Sequence, residues 1–98
     1  MKLQMHSIHF DADKKLLDFI QKKVDKLETF HDRIVNGEVI LKIDKDEERE
    51  NKVIEIKLFI PGNMLFAKEQ SKTFEAAADV VVETMKRQLK KHKEKQVH

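Results

Sequence analysis

The chain has 98 residues, enough for one domain with a modest core, and no cysteine, which excludes disulfides, thiol nucleophiles and cysteine-type zinc sites. Charged residues make up 39% and hydrophobic residues 40%, the latter periodically spaced, so the composition describes a folded domain with a highly charged surface rather than a disordered chain. No apolar run approaches membrane-spanning length, and the N-terminal MKLQMHSIHF has no long apolar core followed by small residues, so neither a membrane span nor a secretion signal is expected.

Residues 2–8 read as a strand, with Leu3 and Met5 alternating against Gln4 and His6 until the pattern slips at Ser7. Asp13 is the expected cap of a first helix reaching to about Phe30. Leu16, Leu17, Ile20, Val24 and Leu27 form its core stripe, extended by Phe19 and Phe30. Its charges are sorted: Lys15, Lys22 and Lys26 share one flank, and Asp18, Asp25 and Glu28 the other. Lys23 falls at the stripe edge, where its stem packs and its ammonium reaches water. Asn36-Gly37 is a turn signal. Residues 38–43 form a strand with Val39, Leu41 and Ile43 on one face, and 44–51 are a polar, mostly acidic connection. Residues 52–60 form the next strand, with Ile54, Ile56, Leu58 and Ile60 inward. Pro61-Gly62-Asn63 is a turn, and 64–70 a shorter, less regular last strand.

From 73 to 96 the sequence reads as one long helix capped by Thr73. At 100° per residue, Phe74, Ala77, Ala78, Val81, Met85 and Leu89 fall on one stripe. Lys86, Arg87, Lys90, Lys91, Lys93 and Lys95 face a single acid, Glu94. Residues 86–98 are therefore +5 in a chain whose formal net charge is +2. Acids early and cations late suit the helix macrodipole, but a dipole needs only one or two cations in the last turn. At about 1.5 Å per residue the helix runs roughly 35 Å, so its basic end can project past a core. Such concentration points to a polyanion partner.

The element order is β-α-β-β-β-α. The expected fold is α+β: a two-layer sandwich with a four-stranded sheet and both helices on one face. The other face, with Glu38, Lys42, Glu55 and Lys57, is expected to be wet. The expected core is Leu16, Ile20, Val24, Leu27, Ile54, Ile56, Leu58, Phe74, Val81 and Met85.

Catalytic chemistry is not expected, nor a cofactor. The only glycines, Gly37 and Gly62, make no phosphate loop, and Ser7 and Ser71 lack a nucleophile's context. His6 and His9, three apart on a strand, should face opposite sides and hold no metal. His31, His92 and His98 read as surface or helix-end residues. Paired acids such as Glu47 and Glu48 lie in a hydrophilic connection with no apolar pocket to shift a pKa.

The order contains the α-β-β-β-α succession of double-stranded-RNA-binding domains, which read A-form RNA by shape. Here, however, the cations sit at the end of the last helix, not its start. A closer resemblance lies in short motifs. Lys26-Leu27-Glu28, Phe30 and Asp32-Arg33-Ile34 look like a K-L-E-x-aromatic-x-D-R-I signature. Val39-Ile40-Leu41-Lys42 and Pro61-Gly62-Asn63 also resemble family segments. Arg87-Gln88-Leu89-Lys90-Lys91-His92-Lys93 resembles the C-terminal signature of the same family, the short ribosome hibernation promoting factors and ribosome-associated translation inhibitors. The resemblance spans essentially the whole chain.

It implies a cytoplasmic stationary-phase and stress factor that binds the small ribosomal subunit in the mRNA and tRNA channel and blocks translation sterically. It also implies contacts with rRNA, with ribosomal proteins as further partners, and no membrane or small-molecule substrate. The whole chain would be a single ribosome-binding domain, without the dimerisation domain of long family members. Carried over by position, Lys23, Lys26, Arg33, Lys86, Arg87, Lys90 and Lys91 are the expected rRNA contacts; the basic flank and the C-terminal run add Lys22 and Lys93. Glu75 stands where many members have tyrosine, Thr84 where some have a basic residue, and Thr73 where an aspartate cap is common. A different reading is a non-ribosomal regulatory or protein-binding module, which would work through an apolar pocket or an exposed sheet edge.

Overall fold

The computed structural model describes residues 1–31 and 33–96; Asp32 of the D-R-I motif and His98 lie outside the described residues. The elements are β1 (Leu3–Ile8), α1 (Lys14–Asp25), a 3-10 turn (Lys26–Thr29), β2 (Asn36–Ile43), β3 (Lys52–Ile60), β4 (Asn63–Ser71) and α2 (Phe74–Gln96). The sheet order is β1-β2-β3-β4. β1 and β2 are parallel, joined through α1, and the rest is an antiparallel meander. This is the expected α+β architecture. One hydrophobic cluster joins Ile20, Val24 and Leu27 of the first helical segment, the inward residues of β2 to β4, and the α2 stripe, so both helices cover the same sheet face.

Local chemistry explains most of these elements. Asp13 caps α1 by accepting from the Leu16 amide at 2.8 Å, and Thr73 accepts from the Ala76 amide at 3.0 Å. Phe10 and Phe74 stack at 5.0 Å where the two helices begin. The Pro61-Gly62 pair closes the β3–β4 hairpin in two residues, and Gly62 takes a φ of 75°. A β-carbon is disfavoured at that φ, so glycine fits. All six residues of the α2 stripe are buried.

The structure departs from expectation in several places. The α-helix stops at Asp25, and its continuation tightens into a 3-10 turn that keeps Leu27 buried. Leu16 is half-buried rather than part of the core. β1 ends at Ile8, so His9 lies outside it, with a left-handed φ of 65°. β4 is nine residues long, as long as β3, because it pairs with β3 along its whole length. The outward sheet face is only partly polar: it also carries Phe59, Met64 and Phe66, all exposed.

Asn36 and Gly37 are not a turn; both belong to β2. Gly37 is buried, and a β-carbon there would lie 2.6 Å from Leu3 Cδ2, 2.9 Å from Leu58 Cδ2 and 3.2 Å from the Lys57 carbonyl oxygen. The glycine is a close-approach residue at the β1–β2–β3 junction, and the demand for φ freedom is absent. Overpacking costs about 1–3 kcal/mol, against which a strand alanine regains about 0.5–1 kcal/mol of backbone entropy. Gly37→Ala should therefore lose about 1 kcal/mol, because Leu3 is half-buried and can yield, and Gly37→Val should lose more. Urea midpoints of the two variants check this; an unchanged Gly37→Val midpoint would mean the junction is loose.

The acidic flank of α1 has a structural partner. The Met1 ammonium donates to Asp25 at 3.0 Å and to Glu28, and Gln21 Nε2 donates to the Met1 carbonyl at 3.1 Å. These bonds pin the start of β1 to the first helix. The Glu28 bond first, and the Asp25 bond next, hold the amine above its ordinary pKa. A raised folded pKa stabilises fully below the unfolded value, near pH 8, and this contribution is lost as pH rises through the folded value. Thermal stability should fall slightly across that alkaline window. The fall should disappear in the Asp25→Asn/Glu28→Gln variant. Solvent exposure of both carboxylates keeps the effect small.

Candidate nucleic-acid interface

α1 and α2 run side by side in the same direction: Lys23 pairs with Asp79, and Phe30 lies beside Lys86 and Lys90. α2 has 23 residues against 12 in α1, and its stretch from Lys86 to His92 lies alongside the 3-10 turn and the two residues that follow it. The sheet places charge by end. The Ile8, Ile43, Lys52 and Ser71 strand ends lie together, so the acidic 44–51 connection sits near both helix starts, with Asp11, Asp13 and Glu75. Gln88 donates to the Phe66 carbonyl at 2.8 Å, and Thr84 to Glu69 at 2.7 Å, so α2 runs antiparallel to β4. Its basic end therefore lies at the opposite end of the sheet from the acidic loop, in a body 45 Å long and only 23 × 19 Å across.

At that basic end a groove between the 3-10 turn and α2 is lined by Lys23, Lys26, Leu27, Thr29, Phe30, Asp79, Val82, Glu83 and Lys86. The Lys86 ammonium sits 4.7 Å from the centre of the Phe30 ring and that of Lys90 5.3 Å. Their spacing of four residues puts both on one helix flank. Each such contact contributes about 0.5–1 kcal/mol at an exposed site. Of the two acids in the groove, Asp79 is bonded to Lys23. Lys23 also lies 5.4 Å from the Phe19 ring centre, so its ammonium is largely engaged within the molecule. With Asp79 engaged, Lys26 and Lys86 of the groove, and Lys90 on the same ring, outnumber the remaining Glu83, so this surface carries a net positive charge.

The other expected contacts divide. Arg87 and Lys91 line a shallow depression on the opposite flank of α2, with Glu69, Thr84 and Gln88. Lys93 is exposed one turn beyond Lys90. Lys22 is exposed one turn before Lys26 but forms no wall of the groove. Arg33 is exposed after the 3-10 turn, and its backbone amide donates to His31 Nδ1 at 3.2 Å. Lys15, which shares the Lys22 flank by helical spacing, stands with Asp11, Asp13 and Glu75 at the acidic end.

Two residues have roles that sequence reasoning missed. Phe30 was expected in the core stripe; it is half-buried and serves as the ring under two lysines. His31, expected on the surface, is buried at 6% exposure, with its ring 5.7 Å from that of His92. The contact fastens the basic half of α2 to the loop that follows the 3-10 turn. His92 Nε2 is buried without a hydrogen-bond partner among the described residues. No sequence signal marked Phe30, because its position follows from the 3-10 turn at Lys26–Thr29.

The profile of the Sigma 54 modulation protein / S30EA ribosomal protein family matches residues 3–97. A ribosome hibernation promoting factor from Pseudomonas putida is 33% identical over 96 residues, covering 98% of this chain and 90% of that protein. The Escherichia coli K12 protein of the same name is 30% identical over 95 residues, covering 97% and 96%. Among solved structures, a ribosomal subunit interface protein from Coxiella burnetii is similar with a TM-score of 0.85 at 25% identity, covering 95% of this chain and 98% of that one. The N-terminal domain of Thermus thermophilus Protein Y, at 20% identity and a TM-score of 0.82 over 94% and 99%, shares the fold. With sequence match and fold agreeing from end to end, the chain belongs to the Sigma 54 modulation protein / S30EA ribosomal protein family.

Proposed function

We propose that this chain is a ribosome hibernation factor that binds the small ribosomal subunit in the path of mRNA and tRNA and silences translation by occupying it. One observation carries the reading: cations from two distant stretches meet in an elongated body, Lys26 and Lys86 lining one groove with Phe30 and Lys90 sharing the Phe30 ring. The relatives' names point the same way, to hibernation and to the subunit interface. Lysine and arginine neutralise phosphates and release counterions, giving affinity without base reading. rRNA is the polyanion a ribosome offers. Arg33, Arg87, Lys91 and Lys93 extend the contact on either side of the groove, and Lys22 and Lys23 border it.

Inhibition by occupancy needs no catalytic group. The acidic 44–51 loop, at the far end of the sheet, faces away from rRNA or toward a basic ribosomal protein. The protein would act in the cytoplasm, where ribosomes are; no described helix is long and apolar enough to cross a membrane.

The test is co-sedimentation with purified small and large subunits across a salt series, with mRNA and initiator tRNA as competitors. Binding should favour the small subunit, fall linearly on a log–log salt plot, and be competed by mRNA with tRNA. Equal binding to both subunits, or inhibition of translation with no competition, would overturn the channel mechanism.

A further inference from the structure

The outward sheet face, left wet by the sequence pattern, carries an aromatic corner. Phe59 of β3 and Phe66 of β4 are 37% and 42% exposed, and Met64 is 44% exposed. The β3–β4 register pairs Phe59 with Met64 and Lys57 with Phe66, so the two phenyl rings are diagonal neighbours on one face. Diagonal positions lie about 7–8 Å apart, a separation an unstacked strand can follow. Lys68 lies two residues beyond Phe66 on the same face. β4 is the edge strand, and around that edge stand Arg87 and Lys91, held there as Gln88 bonds the Phe66 carbonyl. Glu38, opposite Lys57, offsets one of these cations. Glu69 is bonded to Thr84, and Glu55 to Lys42 at 2.6 Å.

We infer that this corner binds unpaired RNA bases: Phe59 and Phe66 stack two successive bases while Lys57, Lys68, Arg87 and Lys91 hold the backbone. Exposed rings flanked by cations are the elements of a single-strand binding surface, and stacking is tolerant of sequence because every base has a π face. A wholly apolar partner would leave Lys68 on this face, and Arg87 and Lys91 at the β4 edge, unmatched. This inference rests on the ribosome-binding reading and extends it, because it adds a base-contacting surface to a phosphate-contacting one. It also gives the face turned away from the helices a part in binding.

The chain has no tryptophan, so an F66W variant carries a single fluorophore on the proposed surface. Titration with a short single-stranded oligoadenylate should quench its emission saturably. An F59A/F66A variant, which removes two exposed rings and spares the core, should bind the same oligonucleotide about 10- to 100-fold more weakly, with an unchanged salt slope because no phosphate contact is lost. Unquenched F66W emission together with wild-type affinity of F59A/F66A would overturn the inference. So would loss of ribosome binding by F59A/F66A with oligonucleotide binding intact, which would assign the corner to a ribosomal protein. A concentration-dependent dimer abolished by F59A/F66A, with RNA binding unchanged, would overturn it in favour of self-association. If wild-type protein failed to bind ribosomes while F66W emission was still quenched, the ribosomal reading would fall and the stacking surface would stand.

Discussion

Replacing Arg87, Lys90 and Lys91 together by glutamate should reduce ribosome affinity at least roughly 1,000-fold and leave the protein folded. The three positions are exposed and off the buried stripe, so no core contact is removed. Exposed ion pairs contribute about 0–1 kcal/mol each, and cations near a helix C-terminus about 0.3–1 kcal/mol each. The fold should tolerate that loss, and circular dichroism should show an unchanged helix content. Binding is different, because each cation that neutralises a phosphate also releases counterions. Losing three such contacts should make the log–log salt slope shallower by roughly three units. A charge-assisted hydrogen bond contributes about 1.5–3 kcal/mol, so three losses exceed the roughly 4 kcal/mol that corresponds to 1,000-fold. The structure also divides the test. Lys90 shares the Phe30 ring with Lys86, whereas Arg87 and Lys91 lie on the flank toward β4. A Lys86→Glu/Lys90→Glu pair and an Arg87→Glu/Lys91→Glu pair therefore report on separate surfaces. If the folded triple variant bound and inhibited like wild type, the basic end would be a solvated helix terminus. Binding would then have to come from the Lys22–Arg33 region.

The sequence made the architecture legible because its periodicities were clean. Val39, Leu41, Ile54, Ile56 and Leu58 alternate, and the α2 stripe recurs at helical spacing, so face assignment followed directly. What could not be read was anything set by contact between distant segments. Gly37 beside Asn36 has the local chemistry of a turn, and only the approach of Leu3 and Leu58 makes it a strand residue. His31 has the composition of a surface residue, and only α2 arriving with His92 buries it. The sorted charges of α1 suggested a free basic flank, yet Lys15 belongs to the acidic end and Lys23 is bonded across to Asp79. For the candidate site, the cations could be named from sequence, but their grouping could not. Phe30 organises Lys86 and Lys90, and that depends on where the α-helix gives way to a tighter turn.

That turn makes Leu27 the most informative core position. Leu27→Ala should destabilise the protein by about 2–5 kcal/mol, the range for truncating a fully buried leucine. Leu27 is 1% exposed and belongs to the cluster formed by both helices and the sheet. It also lies in the floor of the cationic groove, beside Phe30. A domain of this size has about 5–15 kcal/mol of stability in all, so the loss is a large share. At about 4–8 °C per kcal/mol, the melting temperature should fall by at least roughly 8 °C. Leu16→Ala should cost clearly less, because Leu16 is half-buried and its site can fill with water. The comparison removes effects of the unfolded chain, since both variants make the same chemical change in one helical segment. Urea unfolding of the two variants measures the difference, with an equal slope confirming two-state behaviour. Under conditions where Leu27→Ala remains folded, it should also bind ribosomes more weakly than Leu16→Ala, because the cavity lies beneath the ring that holds Lys86 and Lys90. A Leu27→Ala loss below about 1 kcal/mol would mean that the 3-10 turn is not packed into the core. The cationic groove would then rest on α2 alone.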